Sequence, residues 1–416
     1  MAIQIVAEKM VFGGSCLAKM NGKNVFIPYA VPGETLEIEI TKSFRDYDLA
    51  KITRIVAASA HRVEPFCPLY RICGGCNMQH ISADYQRELR AQMLKDSFER
   101  EGISVPDIQI ISGEEKGYRA RIQLTDGGFK ERDSNKVVPL SACPVATAEI
   151  NRYLAAIPQE DRPRGRIHIF GDRRVQNAPS FDHLILAEEK KSLKLGQQEM
   201  SEKLKKRIKH YVKPRFAGTM ADSTNLCTVA LSGKTIQFDA RGFFQSNIDV
   251  LEKTIATLTT NLGGKRVLDM YAGAGVFSVF LSDIFENITL VEHNRDALVQ
   301  AEINLAGKRH ESYGISGAKW IRENAAQILS KEGSFDAVVI DPPRSGMEKE
   351  VRDWLCKNKV GQIRSVSCDP ATHARDSAAL VKSGYTLSRL YLLDFYPQTS
   401  HIESLAFFEH FEDDDA

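Results

Sequence analysis

The C-terminal part of the chain alternates between short apolar runs and longer stretches with helical spacing. From about residue 240, apolar, β-branched runs lie at 266–271, 288–292, 337–341 and 363–368. The stretches between them repeat apolar residues every three or four positions, as helices that connect parallel strands do. The pattern therefore predicts an α/β unit with a parallel, doubly wound sheet over residues 241–416.

The first 57 residues have a different pattern, in which polar and apolar residues largely alternate. The alternation is clearest at 34–40, directly after a Pro32-Gly33 turn signal, and further strand candidates lie at 26–29 and 49–56. The pattern predicts a small β-barrel. Its basic and aromatic residues suit RNA, although a purely structural barrel is the alternative. The candidate RNA contacts are Lys42, Phe44, Arg45 and Tyr47.

Two helices are predicted between these units. Residues 82–100 place apolar side chains on one face and charges on the other. Those apolar positions are Tyr85, Leu89, Met93 and Phe98. Residues 190–215 contain ten Lys or Arg against two Glu and have amphipathic spacing. A basic helix face of this kind is either merely solvated or contacts an RNA backbone.

Length and composition restrict the class of protein. A chain of 416 residues, 43% of them hydrophobic, is expected to form two or three domains with ample core. No apolar run reaches the roughly 18 residues of a membrane-spanning helix, and no signal peptide is visible. We therefore expect a cytoplasmic protein without membrane contact. The net charge of +1 leaves room for nucleic acid, which needs only a local basic patch.

Three of the eight cysteines lie within ten residues, in the spacing Cys67-x5-Cys73-x2-Cys76, and Cys143 follows further along the chain. In a long cytosolic protein such clustering favours a metal site over disulfides. Four thiolates can hold either an iron–sulfur cluster or a zinc ion, and the spacing alone separates these two poorly.

Candidate chemistry lies where predicted strands end. Cys368 follows one strand and precedes a helix, so it is either an activated nucleophile or a buried, inert cysteine. Gly273 and Gly275 follow the first strand, and Glu292 ends the second, where a carboxylate can bind ribose hydroxyls. Ser278 replaces the third glycine of a dinucleotide fingerprint. This favours S-adenosylmethionine and leaves a nicotinamide cofactor as the alternative.

Three motifs together resemble the RNA 5-methyluridine (uracil-C5) methyltransferases over essentially the whole chain. They are the segments 267–277 (VLDMYAGAGVF), 365–376 (SVSCDPATHARD) and 397–403 (PQTSHIE). The cysteine spacing is similar to the [4Fe-4S] site of the branch that modifies 23S ribosomal RNA. The resemblance implies a Rossmann-like class I methyltransferase domain at 241–416. It also implies a TRAM-like barrel at 1–57 and a central α+β iron–sulfur domain at 58–240, with helix 82–100 packing on the catalytic domain.

The resemblance also implies roles for individual residues. Cys368 matches the nucleophile that attacks carbon 6 of uracil, Glu403 matches the general base, and Asp341 supports both. The implied S-adenosylmethionine site comprises Gln245, Tyr271, Gly273, Gly275, Glu292, Asn324 and Asp341, and the implied cluster ligands are Cys67, Cys73, Cys76 and Cys143. Two positions depart from the family pattern. Asp369 replaces the asparagine of a Ser-Cys-Asn-Pro motif, and Val276 replaces an asparagine that several relatives have.

The expected reaction is methyl transfer from S-adenosylmethionine to C5 of a specific uridine through a covalent cysteine–C6 adduct. Large-subunit ribosomal RNA is the expected partner, with neither DNA nor membrane, and the protein is expected to be a monomer. The alternatives are the same reaction on transfer RNA, a non-catalytic RNA-binding assembly factor, and a nicotinamide oxidoreductase.

Overall fold

A computed structural model describes residues 3–178, 183–188 and 225–410. The basic helix predicted at 190–215 lies outside the described residues. The described part contains an N-terminal sheet, a group of short antiparallel strands and a large mixed sheet flanked by helices. Among the described helices, none combines the length and the hydropathy that a membrane crossing requires.

The N-terminal sheet has six strands in the spatial order β1-β5-β6-β4-β3-β2. Their bounds are β1 Ile3–Val6, β2 Lys9–Met10, β3 Ser15–Met20, β4 Lys23–Pro28, β5 Thr35–Ser43 and β6 Tyr47–Ala57. Leu36 and Ile38 of β5 are buried while Glu37 and Glu39 point outward, as the alternation predicts. The predicted turn precedes β5, and Gly33 supplies its positive φ of 87°.

Helix α1 (Ala83–Arg100) follows this sheet, close to the bounds that the sequence predicts. Its buried face differs from the prediction, because Tyr85 and Leu89 are only partly buried whereas Gln86 and Arg90 are almost completely buried. The two polar side chains have partners in the C-terminal unit. Near the helix end, Phe98 packs edge-on against His373 at a ring separation of 5.4 Å.

The middle of the chain forms short strands and two hairpins. Strands β8, β11 and β12 make an antiparallel sheet in the order β12-β11-β8, β9 pairs with β10, and β13 pairs with β14. Helix α2 packs on β11. The bounds are β7 Gln109–Ile111, β8 Arg121–Thr125, β9 Phe129–Lys130, β10 Val137–Val138, α2 Ala148–Ala156, β11 Arg166–Gly171, β12 Leu184–Glu188, β13 Leu226–Leu231 and β14 Lys234–Asp239.

The C-terminal sheet has eight strands in the order β17-β16-β15-β18-β19-β21-β20-β7. Strands β15 Gly264–Met270, β16 Phe285–Val291, β17 His310–Tyr313, β18 Ala337–Ile340 and β19 Gln362–Ser367 are parallel. They include the four predicted strands. Strand β21 (Glu403–Glu409) runs antiparallel between β19 and β20 (Thr386–Leu393), which the predicted parallel sheet did not include. The eighth strand, β7, comes from before the middle strands.

The helices of this unit connect its strands. Their bounds are α3 Ile248–Leu258, α4 Val276–Leu281, α5 Arg295–Asn304, α6 Gly317–Trp320, α7 Ala326–Glu332, α8 Lys349–Asn358 and α9 Pro370–Lys382, with a π-helical turn Ile321–Ala325 between α6 and α7. The strand order reverses between β15 and β18, so the connections that leave the carboxyl ends of these two strands run in opposite directions. Open α/β sheets bind ligands at such a point.

Candidate active site and cysteine cavity

A cavity of about 1640 Å³ opens at the carboxyl edge of the large sheet. It brings together most of the site residues that the sequence predicts, although they come from six separate segments. Those that line it are Gln245, Tyr271, Gly273, Glu292, Asp341, Cys368 and Glu403. We call this space the active-site cavity.

Two predicted residues do not line this cavity. Gly275 caps α4 with a φ of 74° and packs against α5, where an added Cβ would come within 2.9 Å of the Ala301 Cβ. Asn324 lies in the π-helical turn Ile321–Ala325 and does not line this cavity, so the structure does not bring it together with the other predicted cofactor residues. Ser316, in the loop after β17, lines the cavity instead. Locating the end of β17, the third parallel strand in chain order, would have pointed to Ser316, which lies three residues after it.

The turn after β15 shapes one wall. Tyr271 adopts a φ of 66°, and Gly273 has a φ of 55° with open space where a Cβ would point. The Glu292 carboxylate accepts hydrogen bonds from the backbone N–H of Gly273 at 2.9 Å and of Asn294 at 2.6 Å. Main-chain contacts therefore fix the glutamate at the end of β16, with its carboxylate at the cavity.

Cys368 is half-buried between β19 and α9. Burial, with help from Glu403 and Asp341, raises the pKa of its thiol to about 11, and Arg344 partly offsets the rise. The adjacent Asp369 is the N-cap of α9 and accepts hydrogen bonds from the Ala371 and Thr372 N–H groups at 3.1 and 2.9 Å. Its carboxylate therefore satisfies the start of the helix, which an asparagine oxygen also does in this position.

Acidic groups with raised pKa values surround the thiol. Burial raises the pKa of Glu403 to about 8, with a further contribution from Asp341. Burial and the charge of Glu292 raise the pKa of Asp341 to about 7. Gln245 donates a hydrogen bond from Nε2 to Glu403 Oε2 at 3.2 Å. A nucleophile and two carboxyl groups with shifted pKa values in one cavity are typical of a catalytic site.

Sequence reasoning missed three further residues at the cavity. Arg344 lies near both Cys368 and Glu403, and its place in Asp341-Pro342-Pro343-Arg344 was the available signal. Phe243 is 69% exposed at the cavity, which is unusual for a large apolar side chain. Arg119 lines this cavity and also a second one. Arg119 belongs to the short basic stretch 118–122, some 250 residues before Cys368, which sequence reasoning did not connect with the active site.

The second cavity, of about 610 Å³, contains all four predicted cluster cysteines in its lining. We call it the cysteine cavity. Burial raises the pKa of the Cys73, Cys76 and Cys143 thiols, and Arg119 lowers each of them in part. The Gly75 N–H donates to Cys73 Sγ at 3.4 Å. Within the described ranges, no three His, Cys, Asp or Glu side chains are grouped as around a single metal ion.

Comparisons with known proteins agree with this architecture. A family model described as tRNA (Uracil-5-)-methyltransferase matches residues 224–411. An RNA methyltransferase of Treponema denticola is 35% identical over 97% of this chain and 98% of its own length. The 23S rRNA (uracil(1939)-C(5))-methyltransferase of Shewanella sp. strain MR-4 is 31% identical, covering 95% of this chain and 93% of the relative.

The crystal structure of the Pyrococcus abyssi tRNA (uracil-54, C5)-methyltransferase, determined with S-adenosyl-L-homocysteine, has the same fold. It superposes with a TM-score of 0.68 and 22% identity over 97% of this chain and 99% of that one. The full-length similarity to sequence relatives, together with this fold, identifies the class. The chain belongs to the RNA uracil-C5 methyltransferases, enzymes that depend on S-adenosylmethionine.

Proposed function

We propose that this enzyme methylates C5 of one uridine in 23S ribosomal RNA through a covalent bond between Cys368 and C6 of the base. The observation that carries the proposal is that Cys368 and Glu403 open into the same cavity as Glu292 and the Gly273 turn. A thiol, a base and a nucleoside-binding edge are the minimal set for this chemistry.

Each of the two protein groups has one task in the proposed reaction. Carbon 5 of uracil is weakly nucleophilic, so the Cys368 thiolate first adds to C6 and makes C5 electron-rich. Bound S-adenosylmethionine would supply the methyl group from its positively charged sulfur, with the C5–CH3 bond formed, the S–CH3 bond broken and S-adenosylhomocysteine as the leaving group. Glu403 then removes the proton from C5, and the C6–S bond breaks to release the thiolate and 5-methyluridine. Glu403 must be ionised to accept this proton. Its pKa of about 8 leaves a fraction of the carboxyl groups ionised near neutral pH.

The residues of the cavity suit the cofactor. Gln245 Oε1 is buried and has no hydrogen-bond partner in the described part of the chain. It is therefore available to accept a hydrogen bond from a bound ligand. Glu292 stands where ribose hydroxyls would donate, and the open side of Gly273 lets a ligand approach the backbone. We propose Gln245, Tyr271, Gly273, Glu292, Ser316 and Asp341 as the binding residues. Val276 offers no polar contact at its position in the lining.

The choice of 23S RNA rests on the Shewanella relative, which matches nearly the full length of this chain. Transfer RNA is the second candidate, because the family model and the Pyrococcus enzyme carry that substrate in their descriptions. In either case the target base has to leave its stack to reach Cys368.

We propose the N-terminal sheet, residues 1–57, as a TRAM-like RNA-binding unit. Lys42 lies over the ring of Phe44 at 4.8 Å, and Phe44 stacks on Tyr47 with a centroid separation of 4.6 Å. A basic group joined to stacked rings is the arrangement that binds unpaired nucleotides. Residues 58–240 are the proposed central unit and residues 241–416 the catalytic unit, to which α1 and β7 add.

We propose that Cys67, Cys73, Cys76 and Cys143 hold a [4Fe-4S] cluster, with zinc as the alternative. Each cysteine of such a cluster binds a different iron, so the four sulfurs stand further apart than around one ion. The four cysteines line one cavity of about 610 Å³, and this shared lining supports a common ligand. Hydrogen bonds from N–H groups to sulfur, as at Gly75, are also typical of cluster sites.

One experiment tests the function and the substrate together. Anaerobically purified protein is incubated with methyl-labelled S-adenosylmethionine and total RNA from a strain that lacks the gene. The RNA is then separated by size and hydrolysed to nucleosides. We expect label as 5-methyluridine in large ribosomal RNA, and none with Cys368→Ala. Label in transfer RNA would overturn the substrate, and no label in any RNA would favour a non-catalytic assembly factor.

A further inference from the structure

We propose that Asn77 and Gln86 are positioning residues that hold the general base Glu403 in place through the segment 397–401. This inference rests on the proposed function, because it assigns a purpose to contacts around the base. The loop after Cys76 and helix α1 are close in sequence, and both lie more than 300 residues before the connection that leads into β21. We call residues 397–401 the base loop.

Gln398 is the centre of the base loop, and all of its polar groups are occupied. Its carbonyl accepts from the Asn77 and Met78 N–H groups at 3.1 and 3.0 Å. Its N–H donates to Gln86 Oε1 at 2.9 Å, and its Oε1 accepts from Gln86 Nε2 at 2.9 Å. Its Nε2 donates to Glu115 at 3.1 Å. Gln398 is 2% exposed and has a φ of 69°, so these contacts hold a backbone that rarely forms unaided.

Asn77 adds a second connection, three residues before Glu403. Its Oδ1 accepts from the Ser400 N–H at 2.9 Å, and its Nδ2 donates to Ser400 Oγ at 2.9 Å and to the Gly13 carbonyl at 3.2 Å. The space is tight, since a Cβ on Gly14 would lie 2.7 Å from Asn77 Nδ2. The loop that contains Gly13, the loop after Cys76 and the base loop therefore meet at the Asn77 side chain.

Helix α1 fixes the start of the same connection. Arg90 lies one turn from Gln86, and its NH1 is 2.8 Å from Asp394 Oδ1, with both side chains almost completely buried. One face of α1 thus contacts residues 394 and 398, while Asn77 contacts residue 400. Glu403 is the first residue of β21, so strand pairing fixes the chain only on its far side. The polar contacts supply the missing constraint.

Displacement of the base predicts a specific kinetic defect. The thiolate of Cys368 lies on another segment, so addition to C6 and binding of both substrates stay intact, while proton removal from C5 slows. Misplacement by about 1 Å can cost on the order of a hundredfold in rate. The covalent protein–RNA adduct then accumulates, because it is formed normally and resolved slowly. A residue that merely stabilises the fold would not change the adduct level of folded protein.

The test compares Gln86→Met, which keeps the side-chain volume, with Gln92→Met on the exposed side of the same helix. Asn77→Ala removes the second connection, and Asn77→Asp keeps the acceptor for Ser400 but loses both donors. For each protein we would measure the melting temperature, kcat, both KM values and the adduct retained on a denaturing gel.

We expect kcat to fall by about tenfold to a hundredfold in Gln86→Met and Asn77→Ala, with KM within about twofold and several times more adduct. Asn77→Asp should be intermediate, and Gln92→Met should match the wild type. Unchanged kcat and adduct level per folded molecule in Gln86→Met and Asn77→Asp would overturn the positioning role and leave the proposed function standing. A wild-type protein that neither methylates RNA nor forms adduct would overturn both.

Discussion

The active-site cavity and the cysteine cavity are neighbours that are built in opposite ways. The first lies at the carboxyl edge of one sheet, so main-chain pairing fixes most of its walls, and burial raises the pKa of Asp341 and Glu403 within it. The second lies among loops and short strands, including β8 and β9, and its lining contains four thiols and the Arg119 guanidinium. Gly74, Gly75 and Arg119 line both cavities.

This difference shows how each site depends on the rest of the fold. A sheet edge exists before any ligand arrives, because hydrogen-bonded strands and packed helices hold it. A cavity between loops has few contacts of its own and is stabilised by what binds inside it. Ligand loss should therefore leave the active-site cavity folded and should loosen the cysteine cavity.

The largest effect is expected from removing the Cys368 thiol, which changes the reaction at the sheet edge without changing the binding of the cofactor. Cys368→Ala should lower methyl transfer by about 10⁴-fold or more, because no other group can form the bond to C6. Binding of S-adenosylmethionine should remain within about twofold, since main-chain contacts hold Glu292 and the Gly273 turn. Calorimetric titration and product analysis check both parts. Retained activity would show that Cys368 is not the nucleophile.

Glu403→Gln should lower kcat by about 10² to 10⁴-fold, the range for loss of a general base. The covalent adduct should accumulate, because Cys368 still adds to C6 while the C5 proton stays in place. A gel shift under denaturing conditions measures it. Absence of adduct together with lost RNA binding would instead give Glu403 a binding role.

Glu403→Gln should also change how the stability of the protein depends on pH. Burial raises the pKa of Glu403 from 4.5 to about 8, so the folded protein keeps a proton that the unfolded chain releases near pH 4.5. The stability contributed by the protonated carboxyl is full below that pH and is lost as the pH rises through 8. Glu403→Gln should therefore melt higher than wild type at pH 8 to 9 and similarly at pH 4. Equal melting temperatures at both pH values would contradict the raised pKa.

Cys73→Ser tests the other cavity. We expect loss of iron, of sulfide and of visible absorbance, with a clearly lower melting temperature, because the loops lose their internal support. Affinity for S-adenosylmethionine should stay within about threefold, since the residues proposed to bind it lie at the sheet edge and not on these loops. Cys356→Ser is the matched control, because that thiol lies far along the chain on α8. A zinc content of one and no colour in the wild type would replace the cluster with a zinc ion.

Part of this organisation was accessible from the sequence because the signals are local. Strand and helix spacing located β15, β16, β18 and β19, and glycine and acid positions at strand ends located the cavity. Asn324 was assigned to the cofactor site but does not line the cavity, because the end of β17 was not located from the sequence. The polar face of α1 was also missed, since Gln86 and Arg90 are buried by partners some 300 residues away.

Arg344→Met should have a moderate effect on pH dependence. Burial raises the pKa of both Cys368 and Glu403, and the Arg344 guanidinium lowers each of them in part. Its loss should move the rising limb of kcat/KM to higher pH by roughly one unit or less, because both groups must ionise to react. Arg322→Met, which removes an exposed arginine paired with Glu350, is the control. Identical profiles for both variants would exclude Arg344 from the site's electrostatics.

The smallest expected effect concerns Asp369, where the chain departs from the family motif. Both the aspartate and an asparagine present an oxygen to the N–H groups of Ala371 and Thr372, so the helix cap survives the exchange. Asp369→Asn should change kcat by no more than about twofold and should lower stability by only a few tenths of a kcal/mol, because a negative charge at a helix N-terminus is mildly favourable. Asp369→Ala should cost about 1 kcal/mol, since both N–H groups lose their partner. Thermal melts and kcat values of the two variants distinguish the effect of losing the helix N-cap hydrogen bonds from the effect of losing the negative charge. If Asp369→Asn accelerated the reaction tenfold, the negative charge of Asp369 would be disfavouring formation of the Cys368 thiolate. The reactivity of the site at the sheet edge would then depend on side-chain charge as much as on main-chain geometry.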